Sequence, residues 1–286
     1  MIQSFSEKEI LMKRVLVILC SIIIAAHFYN FQKKSERFLI AADEEPLQVF
    51  ILAGQSNMVG VGAKELLSLP KEMQAAQESV LFAEYWADDF KPLLPKNNIG
   101  PEVSFGYEMS KALKKKIALA KLAVGGTSIE VDWNPSEYNK EKSIGSLYKR
   151  LTEYVSSLKS KHKNIKIVGL LWMQGEADSR YHAKSVDQYK LKLEKLIDNF
   201  RKEFDSPDMF FICGRINTPA DWPYRKNVRD AQESIKKKGY AWIDCDDLEL
   251  GPDKLHFTLK GQVEIGKKYA EKMLTLMGKT SKVKVK

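Results

Sequence analysis

From Gln48 onward, apolar runs of strand length alternate with stretches of helical period, and that alternation leaves few folds open. The runs are Gln48 to Ala53, Ile117 to Val124, Ile165 to Trp172, Met209 to Cys213 and Tyr240 to Asp244. Helical spacing covers Val103 to Lys115, Ile144 to Lys159, Val186 to Phe204, Val228 to Lys238 and Leu259 to Met277. Continuous apolar strands separated by helices imply a parallel sheet covered on both faces, because each strand then buries both of its sides. The chain is therefore predicted to be α/β. Residues 59 to 101, with prolines at 70, 92, 95 and 101, read as an irregular insertion.

A length of 286 residues with 44% apolar content supports one such domain with a substantial core. The formal charge of +9 points to nucleic acid only until it is divided along the chain: the first 42 residues carry +3 and four tail lysines carry +4, which leaves +2 for the body. A nearly balanced body has no electrostatic footprint for a phosphate backbone, so no nucleic-acid partner is expected. Lys13-Arg14 followed by the apolar run Val15 to Ala26 matches a secretory signal. An apolar stretch over residues 15–29 falls short of the roughly 20 residues that span a bilayer, and an uncleaved membrane anchor is the alternative. The expected organisation is a signal or anchor plus linker over 1–43, a domain over 44–277 and a basic tail over 278–286, in an exported protein. Cys213 and Cys245 read most simply as buried thiols, with a disulfide as the alternative in an oxidising compartment.

Chemistry concentrates where strand-like runs end. The first run leads into Gly54-Gln55-Ser56-Asn57-Met58, which puts a serine on the turn after a strand. Near the other end, Asp253-Lys254-Leu255-His256 sets a carboxylate three residues before an imidazole. A serine hydroxyl needs a base to remove its proton as it attacks, and a histidine held by a carboxylate supplies one. Val124-Gly125-Gly126-Thr127-Ser128 and Trp172-Met173-Gln174-Gly175-Glu176-Ala177-Asp178 end two further runs. Backbone N–H groups of Ser56 and the glycines, joined by the Gln174 amide, would form an oxyanion hole.

Each residue has a plainer reading. Ser56 and Asn57 suit a helix cap, His256 beside Phe257 suits a packed histidine, and Asp253 after Gly251-Pro252 suits a turn. Taken together, in order and at strand ends, a single active site explains them more economically.

These four blocks resemble those of the SGNH hydrolase superfamily, and specifically the sialate O-acetylesterase and acetylxylan esterase group, carbohydrate esterase family 6. Gly100-Pro101-Glu102, Val228-Arg229-Asp230-Ala231-Gln232 and His256-Phe257 with Gly261-Gln262 extend the likeness in the same order. The resemblance implies a flavodoxin-like three-layer sandwich with about five parallel strands. It also implies Ser56 as nucleophile, His256 as base, Asp253 as its carboxylate, and Ser56, Gly125, Gly126 and Gln174 around the oxyanion. The implied reaction removes acetyl groups from acetylated carbohydrates through an acetyl-serine, with no metal or organic cofactor. A lipase or thioesterase of the same fold is the alternative within the enzymes, and a non-catalytic carbohydrate-binding module the alternative outside them. Gln55, Asn57, Trp133 and Glu176 are the expected substrate-binding residues, with Glu176 also bracing its loop through Arg215 or backbone N–H groups. Glu176 and Asp178 raise the thought of a glycosidase pair, but no second wall is visible. A nucleotide site is disfavoured by the absence of a Gly-x-Gly-x-x-Gly or Walker-type lysine motif.

Overall fold

The computed structural model describes residues 45–279 apart from Asn97, Glu137 and 183–185. The expected signal or anchor, residues 1–43, and residues 280–286 of the tail lie outside the described residues. Along the chain the elements are β1 (Leu47–Gly54), α1 (Ser56–Val59), β2 (Gln77–Glu84), β3 (Lys91–Leu93), α2 (Glu102–Leu113), β4 (Ile117–Ala123) and α3 (Ser146–Lys161). They continue with β5 (Ile165–Met173), α4 (Glu176–Tyr181), α5 (Val186–Glu203), β6 (Phe210–Gly214), α6 (Arg225–Ser234), β7 (Tyr240–Ile243) and α7 (Leu259–Leu276).

One sheet runs in the order β3-β2-β4-β1-β5-β6-β7, and every neighbouring pair is parallel except β2 with β3. The five expected strands are its core, and their order is that of a flavodoxin-like sheet. The correction concerns the stretch read as irregular, which contributes β2 and β3 and brings the sheet to seven strands. Pro92 falls in β3, the antiparallel edge strand, where a missing N–H costs no ladder bond.

Alternate residues of a strand face opposite layers. Val49, Ile51 and Ala53 of β1 pack with Leu151 and Val155 of α3, Leu196 and Phe200 of α5, and Val228 of α6. Phe50 and Leu52 pack on the other side with Phe105 and Met109 of α2 and with Ile265, Tyr269 and Met273 of α7. The result is a three-layer sandwich. Cys213 belongs to the first layer and Cys245 to the second, and both are free buried thiols. Among the described residues no helix is long and apolar enough to cross a membrane.

Register decides where the loops emerge. Gly54 pairs with Ala123 of β4 on one side and Met173 of β5 on the other. Ser56, Gly125 and Gln174 follow that row by two, two and one residues, so they leave the sheet at one edge and at one height. The Gly54 backbone has φ +148, and a Cβ there would lie 2.0 Å from the Met173 carbonyl oxygen. Only glycine lets β1 run so close beside β5 before the turn to Ser56.

The nucleophile turn is also fastened from below. Lys121, a charge inside the otherwise apolar β4, donates from Nζ to Glu102 Oε2 at 2.8 Å and to the Val59 carbonyl at 3.2 Å. Glu102 Oε1 accepts from the Gly100 N–H at 3.1 Å. Both ionic side chains are buried, so losing one leaves the other a buried charge without its counter-ion. Lys121→Met is expected to cost about 3–5 kcal/mol, and a Lys121→Met/Glu102→Met double variant clearly less. Urea denaturation measures both, and an additive double variant would contradict the pairing.

Candidate active site

Ser56 is the first residue of α1. Gln55 holds the N-cap position, and no side chain caps this helix, so the capping explanation for Ser56 and Asn57 does not hold. The Ser56 residue is 7% exposed and lies against the glycine loop, where a Cβ on Gly125 would sit 3.6 Å from Ser56 Cβ. Gly126 has φ +72, a left-handed conformation that favours glycine. Among the described residues, the backbone N–H groups of Ser56, Gly125 and Gly126 donate to no protein acceptor. N–H groups without a protein acceptor are the kind of donor that can receive a developing negative charge.

His256 approaches from the loop before α7. Its Nδ1–H donates to Asp253 Oδ2 at 2.6 Å, while Asp253 Oδ1 accepts the N–H groups of Leu255 and His256, both at 3.0 Å. One carboxylate thus folds its own loop and orients the ring, leaving Nε2 as the other nitrogen. Burial works to raise the Asp253 carboxyl, but these three donors outweigh it and hold it below the usual carboxylate range. The Ser56 hydroxyl and the imidazole share no hydrogen bond among the described contacts. Nucleophile–base contacts are commonly longer without substrate and close when it binds.

Behind this front lies a second tier that corrects four expected substrate contacts. Gln55, Asn57, Glu176 and Trp133 are all buried. The Asn57 amide nitrogen donates to Glu176 Oε1 at 2.8 Å and to the Leu255 carbonyl at 3.2 Å. The Gln55 amide, with its nitrogen assigned toward the acceptors around it, donates to the Thr127 carbonyl at 3.0 Å and to Glu176 Oε2 at 3.2 Å. Trp133 packs edge-on to Trp172 with ring centres 5.1 Å apart and donates its indole N–H to Thr127 Oγ1 at 3.1 Å. No face of it is left for a sugar. Glu176 does brace its loop, through Asn57 rather than Arg215, which pairs instead with Glu233, Asp244 and Asp246.

Gln174 is likewise a scaffold residue. Fully buried, it donates from Nε2 to the Thr127 carbonyl at 2.8 Å and to Asp178 Oδ2 at 2.6 Å. With its amide protons committed, it orients the glycine loop instead of facing the oxyanion, which corrects the expectation of direct contact.

Residues 46–275 match the family described as carbohydrate esterase, sialic acid-specific acetylesterase. The chain belongs to this family. It is 28% identical over 252 residues to a probable carbohydrate esterase of Arabidopsis thaliana, across 80% of this chain and 91% of the relative. The X-ray structure of the Arabidopsis protein aligns with a TM-score of 0.67 over 80% of this chain and 98% of that one. NanS, at 16% identity, aligns with a TM-score of 0.60 over 82% of this chain and 99% of its own. A carbohydrate acetylesterase from Xanthomonas citri, also 16% identical, reaches 0.61 over 80% of this chain and 56% of that one. Those last two likenesses speak to fold alone.

In this carbohydrate esterase Asp178 carries more than the sequence suggested. It accepts the N–H groups of Ile129 at 2.9 Å and Glu130 at 3.2 Å in addition to Gln174, so it anchors the far end of the glycine loop. Glu176 and Asp178 both point into scaffold, which removes the glycosidase-pair reading. Burial pushes the Asp178 carboxyl up to about 6, against the pull of its three donors. A raised folded-state value means that the native protein holds the proton more tightly than the unfolded chain. That stabilisation is complete below the ordinary aspartate value of about 4 and disappears as pH rises through about 6. An Asp178→Asn variant lacks this linkage. Its stability relative to the parent is expected to improve by roughly 2 kcal/mol between pH 4 and pH 7. Denaturation at several pH values measures this, and a difference that stays flat across the range would contradict it.

Proposed function

We propose that this carbohydrate esterase is a serine O-acetylesterase acting on acetylated sugar hydroxyls. The observation that carries the reading is the unspent N–H groups of Ser56 and of the Gly125-Gly126 loop that lies against it, with Asn57, the residue after the serine, bonded beside the His256–Asp253 pair. Ser56 Oγ attacks the ester carbonyl as His256 Nε2 takes its proton. The developing oxyanion lies among the three N–H groups, and Asp253 stabilises the imidazolium. Collapse delivers the proton to the departing sugar oxygen and leaves acetyl-Ser56. Water then repeats the sequence, releases acetate and restores the serine.

Family membership supports a carbohydrate as the alcohol, of the acetylxylan or sialate type. A cavity of about 670 Å³ opens on the Asp253 and His256 side of the site, walled by Val61, Gly62, Pro70 and Leu259 and not by Ser56. The Lys13-Arg14 and Val15 to Ala26 segment supports export. Sequencing the amino terminus of the exported protein tests that point.

Ser56→Ala is expected to lower turnover of an aryl acetate by at least about a thousandfold while leaving the melting temperature unchanged. Retained turnover would remove Ser56 from its role. Acetate release from a panel of acetylated glycans, compared with longer acyl esters, separates the acetylesterase from a lipase or thioesterase; preference for long acyl chains would overturn the proposal.

A further inference from the structure

Two segments that must meet within a fraction of an ångström are about two hundred residues apart in the chain. Covalent connection does nothing to align them. The nucleophile turn is set by the sheet, whereas His256 rides on a loop between β7 and α7. Asp253 orients the ring within that loop, but it belongs to the same loop and cannot set its height against Ser56. Something outside the loop has to do so.

The residue placed to do it is the one that follows the nucleophile. Asn57 is 1% exposed, and its amide spans both peptide groups that flank the base. Nδ2 donates to the Leu255 carbonyl at 3.2 Å, and Oδ1 accepts from the Phe257 N–H at 3.2 Å. The second Nδ2 proton goes to Glu176 Oε1 at 2.8 Å. Two acceptors on one side and a donor on the other leave the amide a single orientation. The main chain of Asn57 is gripped as well, since Gln262 of α7 donates from Nε2 to its carbonyl at 3.0 Å.

Resting on the serine-esterase reading, we infer that Asn57, anchored by Glu176, is a positioning residue that sets the height of His256 relative to Ser56. Its side chain grips the base loop on either side of the histidine, as a neighbouring strand would. Glu176 contributes an acceptor and nothing that competes for Leu255 or Phe257. Aspartate at 57 would set a second carboxylate against Glu176 and the Leu255 carbonyl. Serine is too short to reach both peptides. Buried as it is, Asn57 touches no substrate, so its loss should fall on the chemical step and spare binding.

The test combines amide exchange with kinetics on the full chain, using an aryl acetate as substrate. In Asn57→Ala the Phe257 N–H loses its acceptor, and its exchange should accelerate at least about tenfold relative to amides of the sheet. kcat should fall about a hundredfold, the scale of a misplacement near 1 Å, with KM within about twofold. Glu176→Ala should reproduce both effects, and Glu176→Gln, which keeps an acceptor for Asn57, should recover most of the kcat that Glu176→Ala loses. Unchanged Phe257 protection, a loss confined to KM, or equal damage from Glu176→Gln and Glu176→Ala would each overturn the inference. Should Asn57→Ala fail to fold, the Glu176 pair decides. The exchange readout is independent of turnover: a parent protein inactive on esters would sink the esterase reading, while Phe257 protection would still confirm or refute the clamp.

Discussion

Ladder hydrogen bonds from β1 to β4 on one side and β5 on the other set the level at which three loops leave the sheet. Gly54, Ala123 and Met173 lie in one row. The serine turn, the glycine loop and the Gln174 loop therefore begin together. A slip of one residue in either pairing would invert the burial of the slipped strand, exchanging the layers to which Phe50 and Ile51 or their partners belong. The two apolar layers thus enforce the geometry of the polar site at their edge, which Trp133 and Tyr189 also meet through hydrogen bonds to Thr127 and Gln174. The row also marks the switch point of the sheet, between β1 and β5, where ligands gather in doubly wound folds.

Immediately above the row, packing gives way to hydrogen bonding. Gln55, Asn57, Gln174, Glu176 and Asp178 are buried, and their polar groups are satisfied largely by one another and by the loop backbones. A buried polar group without a partner costs more than a made bond gains, so such a network tolerates few alternative arrangements. Its outcome is a rigid floor under a small number of free groups: one hydroxyl, one ring nitrogen and three N–H groups. Glu176 illustrates the cost. Burial drives its carboxyl upward, and the Asn57 amide only partly offsets this.

How far the chain could be read in advance follows the range of the interactions involved. Strands such as Ile165–Met173 and Ile117–Ala123 were legible because a buried parallel strand is apolar over its whole length. The same holds for Ser56, Gly125, His256 and Asp253, whose significance lies in residue type and local position. β2 was not legible: Val80 to Ala83 is apolar, but the prolines around it suggested a loop, and its strand state depends on β4 being alongside. α6 starts at Arg225 and stops at Ser234 instead of running through the lysines at 236–238, which bring no apolar side chain to the core. Trp133 sits in a polar loop in sequence yet is buried, because its two partners, Thr127 and Trp172, meet only after folding. Lys121 was the available signal that went unread, a lone charge in an apolar strand.

The central claim is that Ser56 and His256 act as one nucleophilic unit. Reaction with an aryl phosphonate followed by intact-mass and peptide analysis tests it most directly. The account predicts a single phosphonyl group per chain, carried on Ser56, with His256→Ala slowing its formation sharply. An adduct on another residue, or none while the parent protein hydrolyses an aryl acetate, would contradict it.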